Sequence, residues 1–150
     1  MRATGLGPDP DPAFVRHADL VRRCLKIPAA RVTLVSEDRQ LHPGVSGQNI
    51  PPSWSLCRHV VESGTALILA DASARAADPA IGAYAGMPLV DAEGQVLGAL
   101  EAVDTVPRTW SEEDQAALQD LAATCSAELQ LRIQISRTRT ALAETESARQ

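Results

Sequence analysis

The stretch YAGMPLVDAEGQVLGALEAVD, from Tyr84 to Asp104, decides the fold that this sequence predicts. Its two halves, YAGMPLV and QVLGALEAVD, are rich in apolar and small residues and have the length of β-strands. The residues DAEG between them include Gly94, which adopts a positive φ without strain. The stretch therefore predicts an antiparallel hairpin, with its second strand central in a sheet.

Further strands precede this hairpin. Three segments are predicted to extend the sheet: RVTLVS (Arg31–Ser36), a short strand at Gln40–His42 after a turn at Glu37–Arg39, and TALILAD (Thr65–Asp71). Pro43 cannot donate to a β-ladder, which confines the strand before it to an edge or a terminus. PGVSGQNIPPS, residues 43–53, contains so many glycines and prolines that it is predicted to be a loop throughout.

Three helices are predicted, one before the strands, one between them and one after them. They are a helix that Asp11 caps and that ends near Lys26, a short helix that Ser53 or Ser55 caps and that ends at Gly64, and a long helix that begins after Ser111. This order of elements predicts an α+β domain with a mostly antiparallel sheet of about five to six strands.

Composition argues against several classes of function. At 150 residues the chain suits one domain, and a net charge of −5 gives no basic surface for nucleic acid. The longest apolar runs are about five residues, too short to cross a membrane. Three cysteines without metal-ligand spacing and the absence of a visible signal peptide indicate a cytoplasmic protein with reduced thiols and no metal.

Several strings resemble the GAF domain family of sensor modules, in the subgroup common in bacterial signalling proteins. They are SLCRHVVESGTALILADA, YAGMPLVDAEGQVLGALEAVD and PRTWSEEDQAALQDLAA, and they occur in the family's order and spacing. The resemblance implies a GAF/PAS-like sheet with the terminal helices on one face. It implies a pocket on the other face, covered by loops and a short helix. We expect an extended leader at residues 1–11, the domain at 12–132 and a helical extension at 133–150.

Cys57 and His59 stand two residues apart on the predicted short helix. Residues at this spacing point about 200° apart on a helix, so the thiol and the imidazole do not form a catalytic dyad. Cys57 then either packs as a small buried residue or lines a pocket.

Glu101 is the other unusual residue, because it shares one side of its strand with Leu97, Ala99 and Val103. Either the strand turns its carboxylate towards an arginine or solvent, or it anchors the amine or hydroxyl of a ligand. Under the ligand-binding hypothesis, the expected site residues are Trp54, Cys57, Val61, Tyr84 and Glu101.

One GAF-fold enzyme, the free methionine sulfoxide reductase, is similar to this chain around Cys57 and in the pattern that follows it. The resemblance implies a need for partner cysteines in the loop between the third and fourth strands. Residues 72–83 contain none. Thiol-based reduction is therefore the disfavoured alternative, and no catalytic residue is predicted.

The last helix continues without proline or glycine to Gln150. Leu121, Leu131, Ile135 and Leu142 follow a loose heptad, which favours a coiled-coil homodimer over a frayed tail.

The predicted function is that of a non-catalytic regulatory domain that binds an unidentified small molecule, dimerises, or both. Its effector would be a downstream phosphatase or kinase. The remaining alternative is a dimerisation module without a ligand, and the sequence does not identify a cofactor.

Overall fold

The computed structural model describes residues 4–36, 39–52, 54–76 and 78–149. Its elements, in chain order, are α1 (Pro12–Leu25), β1 (Ala29–Ser36), β2 (Arg39–Gly47), α2 (Trp54–Ser63), β3 (Leu67–Leu69), β4 (Ala83–Val90), β5 (Val96–Asp104) and α3 (Glu112–Arg149). The predicted cap at Ser53 lies outside the described residues, as does most of the predicted turn at 37–39.

The sheet has five strands in the order β2-β1-β5-β4-β3, and every neighbouring pair is antiparallel. The hairpin between β4 and β5 is closed by the hydrogen bond from Asp91 N to Gln95 O, at 2.9 Å, and Gly94 has a φ of 83°. The α+β class and the antiparallel sheet are therefore confirmed, and β5 lies at the centre.

Two hydrophobic clusters lie on opposite faces of the sheet. The larger packs α1 and α3 against one face, and the smaller packs α2 and residues 72–76 and 78–81 against the other. Four residues of α3 seal the larger cluster, namely Leu118, Ala122, Cys125 and Leu129. The terminal helices thus share one face, as expected, and α2 covers the face that carries Glu101.

The prediction of a loop throughout residues 43–53 is wrong, because β2 continues through Pro43 to Gly47. Pro43 fits because β2 is an edge strand and the Pro43 carbonyl accepts from Asp11 N at 2.8 Å, facing away from β1. At Gly44 an added Cβ would lie 2.1 Å from the Phe14 carbonyl oxygen. The glycine therefore allows the start of α1 to pack directly on the strand.

The third strand is shorter than TALILAD predicts. β3 ends at Leu69, and the next carbonyl, that of Ala70, accepts from Arg108 N at 2.8 Å. The Trp110 indole also donates to the Leu69 carbonyl, at 3.0 Å. The segment before α3 thus takes the backbone bonds that would have lengthened the strand.

Asp11 and Arg132 join the start of α1 to α3. Two guanidinium nitrogens of Arg132 donate to the Asp11 carboxylate, at 2.6 and 2.9 Å, and the guanidinium lies 5.4 Å from the centre of the Phe14 ring. Asp11 also caps α1 by accepting from Ala13 N. The hydrogen bonds from Arg132 hold the pKa of the Asp11 carboxyl below its usual range.

We predict that Asp11→Asn lowers the free energy of unfolding by about 1 kcal/mol at neutral pH, since the asparagine keeps the cap but loses the charge. A lowered folded pKa supplies stability that is present above about pH 3.9 and is lost as the pH falls through the folded pKa. In urea titrations, the difference between wild type and variant should therefore shrink below pH 4. The exposed Asp9→Asn is the matched control, and an Asp11 effect independent of pH would contradict the assignment.

Candidate functional site

Helix α2 presents its thiol to the sheet and its imidazole to solvent. Leu56, Cys57 and Val60 are buried, whereas Arg58 and His59 are exposed. The helix ends at Gly64, whose φ is 68° and whose N–H donates to the Val60 carbonyl. The thiol and imidazole are thus on opposite faces of the helix, as its period predicts.

Beneath α2, Glu101 is buried in a polar network made of Arg31, Thr33, Tyr84 and Glu101, here called the Glu101 network. The Glu101 residue is 1% exposed. One carboxylate oxygen accepts from the Thr33 hydroxyl at 2.5 Å, and the other accepts from the Tyr84 hydroxyl at 2.5 Å. Both carboxylate oxygens are therefore engaged by side chains of the protein itself.

Strand register brings these side chains together. Arg31 and Glu101 are direct partners on β1 and β5, so their side chains lie side by side on one face. On the other flank Glu101 faces Gly86, where an added Cβ would meet the Tyr84 hydroxyl at 2.5 Å. The glycine leaves the space across which Tyr84 reaches the carboxylate.

Arg31 connects the network to the segment that leads into α2. Its Nε lies 3.7 Å from a Glu101 oxygen, and its terminal nitrogens donate to the carbonyls of Ile50 at 2.7 Å and Pro51 at 3.3 Å. One buried cation thereby balances Glu101 and holds the start of α2 against the sheet.

Burial sets the electrostatics of this region. It raises the pKa of Glu101, an effect that Arg31 and the two hydroxyl donors partly offset. Burial and the nearby Glu101 also raise the pKa of Tyr84, which keeps the phenol protonated as a donor. The Thr33 hydroxyl donates its one proton to Glu101, so the contact at 3.2 Å from His42 has Nδ1 of His42 as its donor.

A groove of about 510 Å³ opens beside this network, between α2 and the hairpin ends of β1 and β5. We call it the α2 groove. Its lining residues are Val35, Ser36, Trp54, Arg58, Val61, Glu62, Gln95, Val96 and Leu97. The walls are mainly apolar, and Arg58 Nε donates to Glu62 Oε1 at 2.7 Å at its rim. Such a groove has the size and lining typical of a small-molecule site.

The five predicted ligand-binding residues separate into two places. Trp54 and Val61 line the α2 groove. Cys57, Tyr84 and Glu101 lie within or against the buried network and do not line the groove. The expected turn of Glu101 towards an arginine occurs, but the partner is Arg31 on the neighbouring strand and the carboxylate is shielded from solvent.

Sequence reasoning missed Arg31 and the Arg58–Glu62 pair. Arg31 is the one charged residue in the strand RVTLVS, and that position was the available signal. Arg58 and Glu62 have i, i+4 spacing, which is also typical of a solvated helix face. Only the structure, in which the end of β1 and the start of β5 lie beside α2, shows that Arg58 and Glu62 border a groove.

The cysteines do not form a redox pair. Cys57 lies on the sheet-facing side of α2, whereas Cys24 and Cys125 are on the terminal helices across the sheet. Burial raises the pKa of the Cys57 thiol far above its ordinary value and that of Cys125 to about 12. Neither buried thiol is therefore disposed to form the nucleophilic thiolate.

In the part of the chain that the structure describes, no cluster of three histidine, cysteine or carboxylate side chains could hold a metal ion. No helix there is both long and apolar enough to cross a membrane.

Solved structures share this fold. The GAF domain of an Acinetobacter phosphoenolpyruvate-protein phosphotransferase matches with a TM-score of 0.68 and 19% identity, over 84% of this chain and 82% of that chain. The blue-light-absorbing form of the Thermosynechococcus elongatus PixJ GAF domain gives 0.68 and 18%, over 87% and 90%. Free methionine-R-sulfoxide reductase from Neisseria meningitidis, solved with its substrate, gives 0.65 and 20%, over 84% and 78%.

At the level of sequence, the GAF domain family matches residues 8–129, and the chain therefore belongs to that family. No curated protein matches the chain. The structural neighbours include a phosphotransferase domain, a photoreceptor domain and a reductase, so their likeness gives the fold and not one activity.

We predict that a thiol-alkylating reagent modifies the exposed Cys24 of the folded protein quickly and Cys57 and Cys125 slowly. Both buried thiols lack access, and their raised pKa values leave little thiolate at neutral pH. Peptide mass spectrometry of timed samples measures all three rates in one experiment, with Cys24 as the internal control. Modification of Cys57 at the rate of Cys24 would contradict the buried placement.

Proposed function

We propose that this GAF domain is a non-catalytic regulatory module of bacterial signal transduction, cytoplasmic, that binds a small molecule in the α2 groove. The single observation that carries the proposal is the groove itself. It is about 510 Å³ in volume, has apolar walls and borders a helix whose leading segment is held to the sheet by Arg31. Occupation of the groove would contact α2 and β5 together and so bias the position of the helix.

The proposal of no catalysis rests on Cys57. A sulfenic acid formed at this thiol would need a second thiol in reach to resolve it as a disulfide. The other two cysteines are across the sheet, and the Cys57 pKa is raised rather than lowered. Reduction of free methionine sulfoxide, the reaction of one structural neighbour, is thus the disfavoured alternative.

The ligand site is tested by screening small metabolites against isotope-labelled protein with amide NMR. We expect at least one compound to shift the amides of Val35, Val61 and Gln95, because these residues line the groove from β1, from α2 and from the turn before β5. Val61→Trp should abolish the shifts by filling the groove. Val106→Trp, at an exposed position outside the groove, is the matched control and should retain them. If no compound binds, a dimerisation module without a ligand is the better account; if Val61→Trp binds equally well, the ligand site is not the α2 groove.

A homodimer through α3 is the second part of the proposal. Leu131, Ile135 and Leu142 are 55, 37 and 59% exposed, and they repeat at heptad spacing along a helix of 38 residues. The half-buried Leu121 packs on the domain core at the base of the same stripe. Exposed apolar side chains on a helix of about 57 Å are stabilised by a second copy of the helix.

The leader lies beside this stripe, because Thr4 and Gly5 line a pocket together with Ile135. Ile133 is buried. A Cβ added at Gly5 would lie 3.8 Å from the Ser136 side chain, so the backbone of Gly5 is close to the helix. The helix beyond Leu131 is therefore not free of its own domain. The heptad stripe nevertheless stays exposed, and it leads towards the end of α3, where a phosphatase or kinase effector would receive the signal.

We predict that the wild type sediments as a dimer at tens of micromolar. Ile135→Asp should raise the dissociation constant of the dimer at least tenfold, because it places two charges in the apolar seam. Ala143→Asp adds the same charge away from the stripe and should remain dimeric. Sedimentation velocity measures all three proteins. A wild type that stays monomeric, or equal loss of dimer in both variants, would contradict the interface.

A further inference from the structure

Helix α2 presents an aromatic ring, a cation and an anion in one row along the α2 groove. Trp54, Arg58 and Glu62 are spaced by four residues, so they lie above one another on the helix, and all three line the groove. Val61 adds an apolar side chain beside the row. A single wall thus offers charged groups of both signs next to apolar surface.

The charged pair retains unused bonding capacity. Arg58 engages Glu62 through Nε and Oε1, at 2.7 Å. Among the described residues, no side chain or carbonyl binds the two terminal nitrogens of Arg58 or the second oxygen of Glu62. A guanidinium edge binds a carboxylate through two parallel N–H groups, and a free carboxylate oxygen binds an ammonium.

We infer that the α2 groove takes a small zwitterion with an apolar side chain, of the chemical class of the free amino acids. Its carboxylate binds the terminal nitrogens of Arg58, its ammonium binds the free oxygen of Glu62, and its side chain lies against Val61 and Trp54. This inference rests on the proposed ligand site and adds the chemistry that the site selects.

Charge balance favours a zwitterion over a singly charged ligand. A lone carboxylate on Arg58 lies close to the Glu62 carboxylate, and a lone amine on Glu62 lies close to the guanidinium, so each meets a like charge. A zwitterion satisfies both groups and leaves the net charge of the groove at zero. A volume of about 510 Å³ accommodates an amino acid of the size of leucine or phenylalanine.

The test is an amide NMR titration with L-leucine, N-acetyl-L-leucine and L-leucinamide. The second compound lacks the ammonium, and the third lacks the carboxylate. We expect L-leucine to shift the amides of Val61 and Gln95, and each analogue to bind about tenfold or more weakly, since each loses a charge-assisted hydrogen bond. Isoamyl alcohol, a neutral probe with the same side chain, reports whether the groove takes apolar groups at all.

Matched variants identify the charges responsible. Arg58→Gln should remove the preference for L-leucine over L-leucinamide, and Glu62→Gln should remove the preference over N-acetyl-L-leucine. Arg75→Gln, an exposed arginine that does not line the groove, should change neither preference. Glutamine preserves helix propensity at both α2 positions, so the helix itself is retained.

Each other outcome overturns the inference in a distinguishable way. If the three leucine compounds bind equally, or if only isoamyl alcohol shifts the groove amides, the groove is a ligand site that does not select zwitterions, and the proposed function survives. If none of the four probes shifts these amides at millimolar concentration, the zwitterion inference fails, and the proposed function loses its support from this groove as well.

Discussion

The ion pair of Arg31 and Glu101 is the constraint on which the α2 side of the molecule depends. The carboxylate of a 1% exposed residue on a central strand is costly to bury unless its oxygens are satisfied and its charge is balanced. Thr33 and Tyr84 supply the hydrogen bonds and Arg31 supplies the charge. Because Arg31 also binds the carbonyls of Ile50 and Pro51, the same residue holds the segment that leads into α2 against the sheet.

This arrangement determines where a ligand can bind. The Glu101 oxygens are already used within the protein, so the carboxylate is a structural group in this state of the domain. The α2 groove, by contrast, is open to solvent. Trp54, Val61 and the Arg58–Glu62 pair of α2 line it. Both regions share α2. A ligand in the groove would thus act on a helix whose leading segment is held to the sheet by a buried cation.

Much of the fold could be predicted because local signals are strong. Gly94 and its flanking apolar runs specify the β4–β5 hairpin, and Asp11, Pro12 and Ser111 mark helix starts. The first part of β2 was predicted at Gln40–His42, but its continuation from Pro43 to Gly47 was not, because Pro43 and the glycines are compatible with a strand only at an edge covered by α1. The site was predicted in part. Glu101 stood out as a carboxylate among apolar residues, but its partner is 70 positions away along the chain, and strand register is what pairs the two residues.

The central claim is that Glu101 is buried and paired inside the folded domain, and it can be measured on the carboxyl group itself. The experiment is a pH titration by NMR of the side-chain carboxyl carbons in isotope-labelled wild type, with Glu101→Gln used to assign the resonance. Burial predicts that the Glu101 carboxyl titrates above the ordinary pKa of glutamate, about 4.3. A Glu101 carboxyl that titrates at or below this ordinary pKa would contradict the account, because the carboxylate would then be in contact with solvent.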